Sequence, residues 1–234
     1  MNGPRGAEAP ARCFAGDFET HLTIGADPGG GHDEPLRRWA RDHGLKYTRI
    51  VLDRGQSPDQ PMVTCRGSGT LAGQRAAARA WVDRLRGDGF DVTRVKIEAA
   101  PWNDDVPRTR ADAAALPPRE CYFEHHIKLV LIGDAARLDS LRALVVPHAA
   151  HVSRNARRAL DAGRHERFVT QRCRGVGRSE ARDRLDALLS ALADAGHTAV
   201  ETEEEFVVHD DNPVLDAGWI DDGLVPGSPG RLPR

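Results

Sequence analysis

The chain has almost no lysine. Of its 33 basic residues only Lys46, Lys96 and Lys128 are lysines; the rest are arginine. With alanine abundant, this reads as the compositional drift of a GC-rich genome. Excess charge of either sign is missing as well: 33 basic and 35 acidic residues leave a formal net charge of −2. A sequence-independent nucleic-acid binder usually carries an excess of positive charge, so that class starts out disfavoured. No run approaches the ~18–20 apolar residues needed to span a bilayer, which argues against a membrane partner. The opening residues MNGPRGAEAPARCFAGD lack the apolar core of a signal peptide. The cysteines Cys13, Cys65, Cys121 and Cys173 lie far apart with no C-x-x-C pair, unlike a zinc site or a dense disulfide framework. There is no nucleotide-cofactor motif. The expectation is a cytoplasmic globular protein, and 234 residues suffice for a sizeable core in one large or two small domains.

What is present is a repeat. Asp17 to Ile24 (DFETHLTI) returns 105 residues later as Tyr122 to Leu129 (YFEHHIKL). Thr48-Arg49 answers to Ser153-Arg154 at the same shift. Met62 to Arg66 answers to Phe168 to Arg172 at 106, and Gly89, Glu98 and Asn103-Asp104 answer to Gly196, Glu205 and Asp210-Asp211 at 107. A shift that changes by two single steps over so many polar matches points to an internal duplication.

The hydrophobic pattern is alike in the two halves. Strands are expected at 17–25, 46–53, 61–66 and 91–99, and again at 121–132, 150–156, 166–172 and 198–208. Helices are expected at 34–43, 70–88, 135–146 and 178–195. The order β-α-β-β-α-β is that of a ferredoxin-like unit. The expected fold is therefore α+β: two such units in tandem, related by a pseudo-two-fold, with a polar cleft or tunnel between their sheets. The boundaries read as a disordered N-terminus 1–14, repeats 15–105 and 120–213, a Pro/Ala/Arg-rich linker 106–119, and a tail 214–234.

Period-2 alternation assigns the faces. Phe18, Leu22 and Ile24 belong to the helix side, which leaves Glu19, His21 and Thr23 together on the other. In the second repeat Glu124, His126 and Lys128 share that face. Thr64 with Arg66, and Thr170 with Arg172, add a polar row. Imidazoles beside carboxylates suit general acid/base work, and the candidate catalytic residues are His21, His126, Glu19, Glu124, Lys128 and His151. Arginines neutralise anions by paired hydrogen bonds, so Arg49, Arg66, Arg154 and Arg172 are candidates for holding a small anionic substrate. Gly67 and Gly69, and Gly175 and Gly177, precede the two long helices, where free N–H groups suit a phosphate. Asp104 and Asp105, and Asp210 and Asp211, follow the last strand of each repeat and could hold Mg²⁺ or Mn²⁺. Glu201, Glu203 and Glu205 read as a solvated strand edge. A variant uses both E-x-H pairs as ligands for Zn²⁺, Mn²⁺ or Fe²⁺.

Two short stretches resemble known families. His21-Leu22-Thr23 and His151-Val152-Ser153 fit the H-x-[ST] signature of the 2H phosphoesterases. That resemblance implies a pair of histidines acting as acid and base on a 2′,3′-cyclic or 2′,5′-linked phosphodiester. The repeat register departs from it, because His21 answers to His126 and His151 to Lys46. Glu124-His125-His126-Ile127-Lys128 resembles the E-x-E-x-K strand of the triphosphate-tunnel enzymes, which bind triphosphates and a divalent metal inside a polar barrel. His126 replaces the middle acid there, and the first repeat has Thr23 in place of the lysine.

The expected function is phosphoryl or phosphodiester transfer or hydrolysis on a phosphate-bearing or nucleotide-like small molecule. The alternatives are a 2H-like phosphodiesterase using His21 and His151, and a non-catalytic ligand-binding or regulatory module. The base-stacking aromatics of an RNA-binding sheet are absent, which disfavours nucleic acid again.

Overall fold

The computed structural model describes residues 13–25, 33–132, 135–156 and 164–220. Among them are eight strands and five helices: β1 (Ala15–Ile24), α1 (Asp33–Asp42), β2 (Lys46–Leu52), β3 (Asp59–Thr70), α2 (Leu71–Gly87), β4 (Val92–Ala99), α3 (Arg110–Ala114), β5 (Tyr122–Ile132), α4 (Ala135–Val145), β6 (Ala150–Asn155), β7 (Arg164–Arg174), α5 (Arg178–Asp194) and β8 (Ala199–Asp210). A short 3-10 turn, Pro213–Asp216, follows β8.

The strands form one closed antiparallel sheet in the order β1-β3-β2-β6-β7-β5-β8-β4. Within each half the neighbours run β4-β1-β3-β2 and β8-β5-β7-β6. The halves do not stack as two separate sheets across a cleft, as the alternation alone allowed. They join edge to edge, through β2 with β6 (Ile50↔Asn155 to Leu52↔Ser153) and β4 with β8 (Lys96↔Asp210 to Ala99↔Phe206). Closure removes exposed edges and turns both polar faces inward to one interior.

The apolar faces point outward to the helices. Leu22, Val63 and Leu85 are fully buried beside Leu36 and Trp39, between β1, β3, α1 and α2. Ile127, Val169, Leu185 and Leu188 do the same beneath α4 and α5. A third cluster joins Phe18, Phe123 and Phe206, and Phe14 packs on Phe206 with ring centroids 5.9 Å apart. Complete burial of such a side chain contributes about 1.5–3 kcal/mol.

The ends of the chain qualify the expected boundaries. Phe14 is core, and residues 1–12 lie outside the described residues, as do 221–234. The stretch 106–119 contains α3, whose N-cap Thr109 and Asp112 form a capping box. Residues 214–220, read as the start of a tail, return to close one end of the barrel. Gln60 Nε2 donates to Asp216 Oδ1 at 3.1 Å, and Arg172 Nη2 to Asp216 Oδ2 at 2.6 Å. Arg94 donates to both Asp216 oxygens at 3.1 Å, and Trp219 Nε1 to the Val152 carbonyl at 2.9 Å.

Burial works to raise the Asp216 pKa, but the charges of Arg94 and Arg172 overcome it and hold the carboxyl below the usual aspartate range. Its stabilisation is therefore complete above an unfolded-state pKa of about 3.9 and is lost as pH falls through the folded-state value. Asp216→Ala leaves two buried guanidiniums short of a partner and should cost about 3–5 kcal/mol in urea unfolding at pH 7. The cost should shrink as the pH drops below about 4. A loss under about 1 kcal/mol at pH 7 would show that the plug does not hold the barrel.

Candidate functional site

A cavity of about 290 Å³ runs inside the barrel. Its walls include Glu19, His21, Thr64, Lys96, Glu124, His126, Lys128, Thr170 and Arg172, the inward sets that alternation assigned on β1, β3, β5 and β7. Asp216 and Trp219 lie at its plugged end. A second, wider hollow of about 890 Å³ meets it at Glu19, Glu203 and Glu205 and extends past Arg66 to the exposed Trp102.

Two histidines are held in the same way. His21 Nδ1 lies 2.8 Å from Thr64 Oγ1, and Nε2 lies 2.7 Å from Glu98 Oε2. His126 Nδ1 lies 3.1 Å from Thr170 Oγ1, and Nε2 lies 3.4 Å from Glu205 Oε2 and 3.2 Å from Glu124 Oε1. Each ring thus spans from a hydroxyl on the strand to one side (β3, β7) to a carboxylate on the strand to the other (β4, β8). The registers His21↔Thr64 and His126↔Thr170 make this possible. Thr64 and Thr170, from the expected polar row, hold the imidazoles.

Between the histidines runs a chain of ion pairs. Lys96 Nζ sits 2.6 Å from Glu98 Oε1 and 2.5 Å from Glu124 Oε1. Arg172 Nε reaches Glu124 Oε2 at 2.6 Å, and Arg94 makes a two-pronged pair with Asp210 at 2.9 and 2.6 Å. Burial works to raise Glu98, yet the charges of Lys96 and His21 hold it well below the usual carboxylate range. Glu124 is held low against the same burial, by Lys96 and Arg172. Burial disfavours a charged His126, but its bonds to Glu124 and Glu205 raise its pKa to about 10. Glu205 is pushed up to about 7, by burial first and then by the charge of Glu98.

Several expected site residues lie elsewhere. Arg49 faces outward, because Thr48, Ile50 and Leu52 take the inward places on β2. It pairs with Asp59 at 2.6 Å and with Asp33 at the start of α1. Arg154 is likewise on the outer face of β6, exposed beside Arg167. Arg66 is at the rim, 76% exposed, 3.2 Å from Glu19. Its counterpart Arg172 is buried and already neutralised. His151 lies opposite Thr170 on β6, its ring 6.1 Å from that of Trp219, and is not among the residues that line the cavity.

The glycine loops serve the chain itself. Gly69 and Gly175 have φ of +117° and +64°, a region that favours glycine. The first N–H of α2 (Leu71) donates to the Phe14 carbonyl at 2.9 Å, and that of α5 (Arg178) to the Pro107 carbonyl at 2.8 Å. At Gly177 a Cβ would lie 2.5 Å from backbone atoms of Arg108 and Thr109, whereas at Gly67 it would meet the movable side chain of Gln74.

The aspartates do not gather either. Asp210 is engaged by Arg94, and the Asp211 carboxylate accepts the Val95 N–H at 2.7 Å. Asp104 and Asp105 lie in the turn beyond the other end of β4. The His/Glu groups with ligand spacing among the described residues are Glu19-His21-Glu205 and Glu98-His126-Glu205. Glu203 and Glu205, read as a solvated edge, line the cavity. Arg94, Lys96 and Glu98 were missed, although Arg94-Val95-Lys96-Ile97-Glu98 carries the same period-2 signal.

No protein-family model matches the chain, and no curated protein matches it. Among solved structures it is similar to chlorite dismutase from Candidatus Nitrospira defluvii in complex with imidazole, at 13% identity and a TM-score of 0.28. The match covers 82% of this chain and 91% of that one. No helix among the described residues is long and apolar enough to cross a membrane.

The Gly177 contact gives a direct test of the loop's role. Gly177→Ala should destabilise the fold by about 1–3 kcal/mol in chemical unfolding, by forcing residues 108–109 away from α5. An unchanged midpoint would mean that the linker is not seated on that helix.

Proposed function

We propose that the barrel interior is the reaction chamber of an enzyme acting on a small phosphate-bearing anion, by phosphoryl or phosphodiester transfer or hydrolysis. The observation that carries this reading is the position of the lysines. Arginine serves as the cation almost everywhere in this chain, yet Lys46, Lys96 and Lys128, its three lysines, all line the one cavity. Drift toward arginine spares lysine where a guanidinium cannot replace it, and a compact, strongly hydrated ammonium is a point-charge partner for phosphate.

The three have different work. Lys96 is committed to Glu98 and Glu124 and keeps the floor of the chamber neutral. Lys128 is 3.2 Å from the half-exposed Glu201 and 3.5 Å from Glu166, and Lys46 is exposed on the wall. Lys46 and Lys128 are the pair to meet an incoming anion. His126 is the proton-transferring group, held by Thr170 and Glu124 with Glu205 alongside. With its pKa raised to about 10, the ring carries its proton at neutral pH and stands as the general acid.

The paired Thr-His-Glu arrangements support an internal duplication as their origin, since Glu98 and Glu205 stand at matching repeat positions. In the second half the histidine is joined by Lys128, and there the chemistry is assigned.

The test is turnover of nucleoside triphosphates, tripolyphosphate and 2′,3′-cyclic mononucleotides followed by ³¹P NMR. At least one should be consumed, and His126→Gln should slow that reaction by about 10²–10⁴ with the fold intact. Lys46→Ala and Lys128→Ala should raise KM more than they lower kcat. Saturable binding of a phosphate compound without turnover would make the chamber a ligand-binding module, and neither binding nor turnover would end the phosphate reading.

A further inference from the structure

Glu205 is a nearly buried carboxylate, its side chain 14% exposed, and among the described residues no arginine or lysine pairs with it. Around it the acids crowd. Glu98, across the β4–β8 junction, is fully buried, and Glu19 projects from β1 into the same space. Glu19, His21 and Glu205 each offer a ligand atom, and those atoms all lie within 4.8 Å of one another. We propose that Glu19, His21 and Glu205 form a site for a divalent transition-metal ion of the Mn²⁺ or Zn²⁺ type.

The geometry selects this trio over the overlapping one. Glu98-His126-Glu205 has the same spacing, but the Lys96 ammonium stands 2.6 Å from Glu98 on that side and repels a cation. Lys96 also stands opposite His21 on β4, but its ammonium is drawn to Glu98 and Glu124, and Glu19 pairs with Arg66, at the rim and largely in water. His21 is also prepared for ligation. Thr64 holds its Nδ1 at 2.8 Å, the kind of outer contact that fixes a metal-binding imidazole. Its Nε2 is hydrogen-bonded to Glu98 at 2.7 Å; on metal binding the proton between them leaves to solvent and Nε2 is released to the ion. Mixed imidazole and carboxylate donors favour Mn²⁺, Fe²⁺ or Zn²⁺ over an all-oxygen ion such as Mg²⁺. The wide hollow that meets the cavity at Glu19 and Glu205 gives access.

This deepens the reading of the chamber and rests on it only for what the ion would do, namely present a positive charge to a phosphate beside Lys46 and Lys128. Binding is tested without any substrate. The chelator-stripped full chain is titrated calorimetrically with MnCl₂, ZnCl₂ and MgCl₂. One Mn²⁺ or Zn²⁺ per chain should bind saturably, with Mg²⁺ at least about tenfold weaker. Glu205→Gln and His21→Gln should each weaken binding by about 10–100-fold, while Asp211→Asn, on the expected acidic loop, leaves it unchanged. In the wild-type chain, Mn²⁺ should broaden the NMR signals of the His21 ring before those of His43 or His197, a readout that needs no variant. Absence of saturable binding, equal affinity for Mg²⁺, or unchanged affinity in both the Glu205 and His21 variants would overturn the assignment. Failure here leaves the acid–base reading of His126 standing, and absence of turnover in metal-loaded protein leaves the metal site standing.

Discussion

Closing the sheet takes charged side chains out of bulk water, so each charge inside the barrel needs a counter-charge or a ligand. The protein meets this with a linked chain rather than isolated pairs. Asp210, Arg94, Asp216, Arg172, Glu124, Lys96, Glu98 and His21 follow one another in contact, drawn from five strands and the turn after β8. A break in the chain leaves its buried neighbours with fewer counter-charges, which costs far more than the pair gains over an apolar substitute. The polar interior and the apolar exterior beneath the helices are two sides of one alternation, and the barrel stands only while both are satisfied.

The two halves share a pattern but not an environment. Glu19 with Arg66 and Glu124 with Arg172 are opposed in the same way across β1–β3 and β5–β7. The first pair lies at the open rim and the second under the plug, because neighbouring strands run in opposite directions and Asp216 closes one end. Arg172 is thereby spent on holding the fold, whereas Arg66 stays in water. On the wall between plug and rim, His21, His126, Lys46, Lys128 and Glu205 stand around one cavity.

Much of this was legible in the amino-acid sequence. The period-2 runs around Glu19, His21, Glu124 and His126 placed these side chains on the face away from the helices, and the pattern over 178–195 marked the helix that buries Leu185, Leu188 and Leu192. Closure was not legible, because an edge that pairs with another edge has no local signature. Without closure, Glu201, Glu203 and Glu205 look like a solvated edge. Arg49 and Arg154 were misread because residue type was weighed above parity: each alternates with inward residues and so must face out. Asp216 could not be found from pattern at all, since one carboxylate in an irregular turn becomes essential only when two arginines from distant strands meet it. The glycines before α2 and α5 carry a true turn signal, but whether the helix ends they open are free or covered depends on Phe14 and Pro107, far away in sequence.

The central claim is that the enclosed polar space receives a phosphate-bearing anion. Selective ¹³C labelling of lysine tests it with three reporters, all of them on the cavity wall. On titration with tripolyphosphate, the side-chain signals of Lys46 and Lys128 should shift together and saturate, with Lys96 moving least because Glu98 and Glu124 already hold it. Three signals that stay in place throughout the titration would contradict the account.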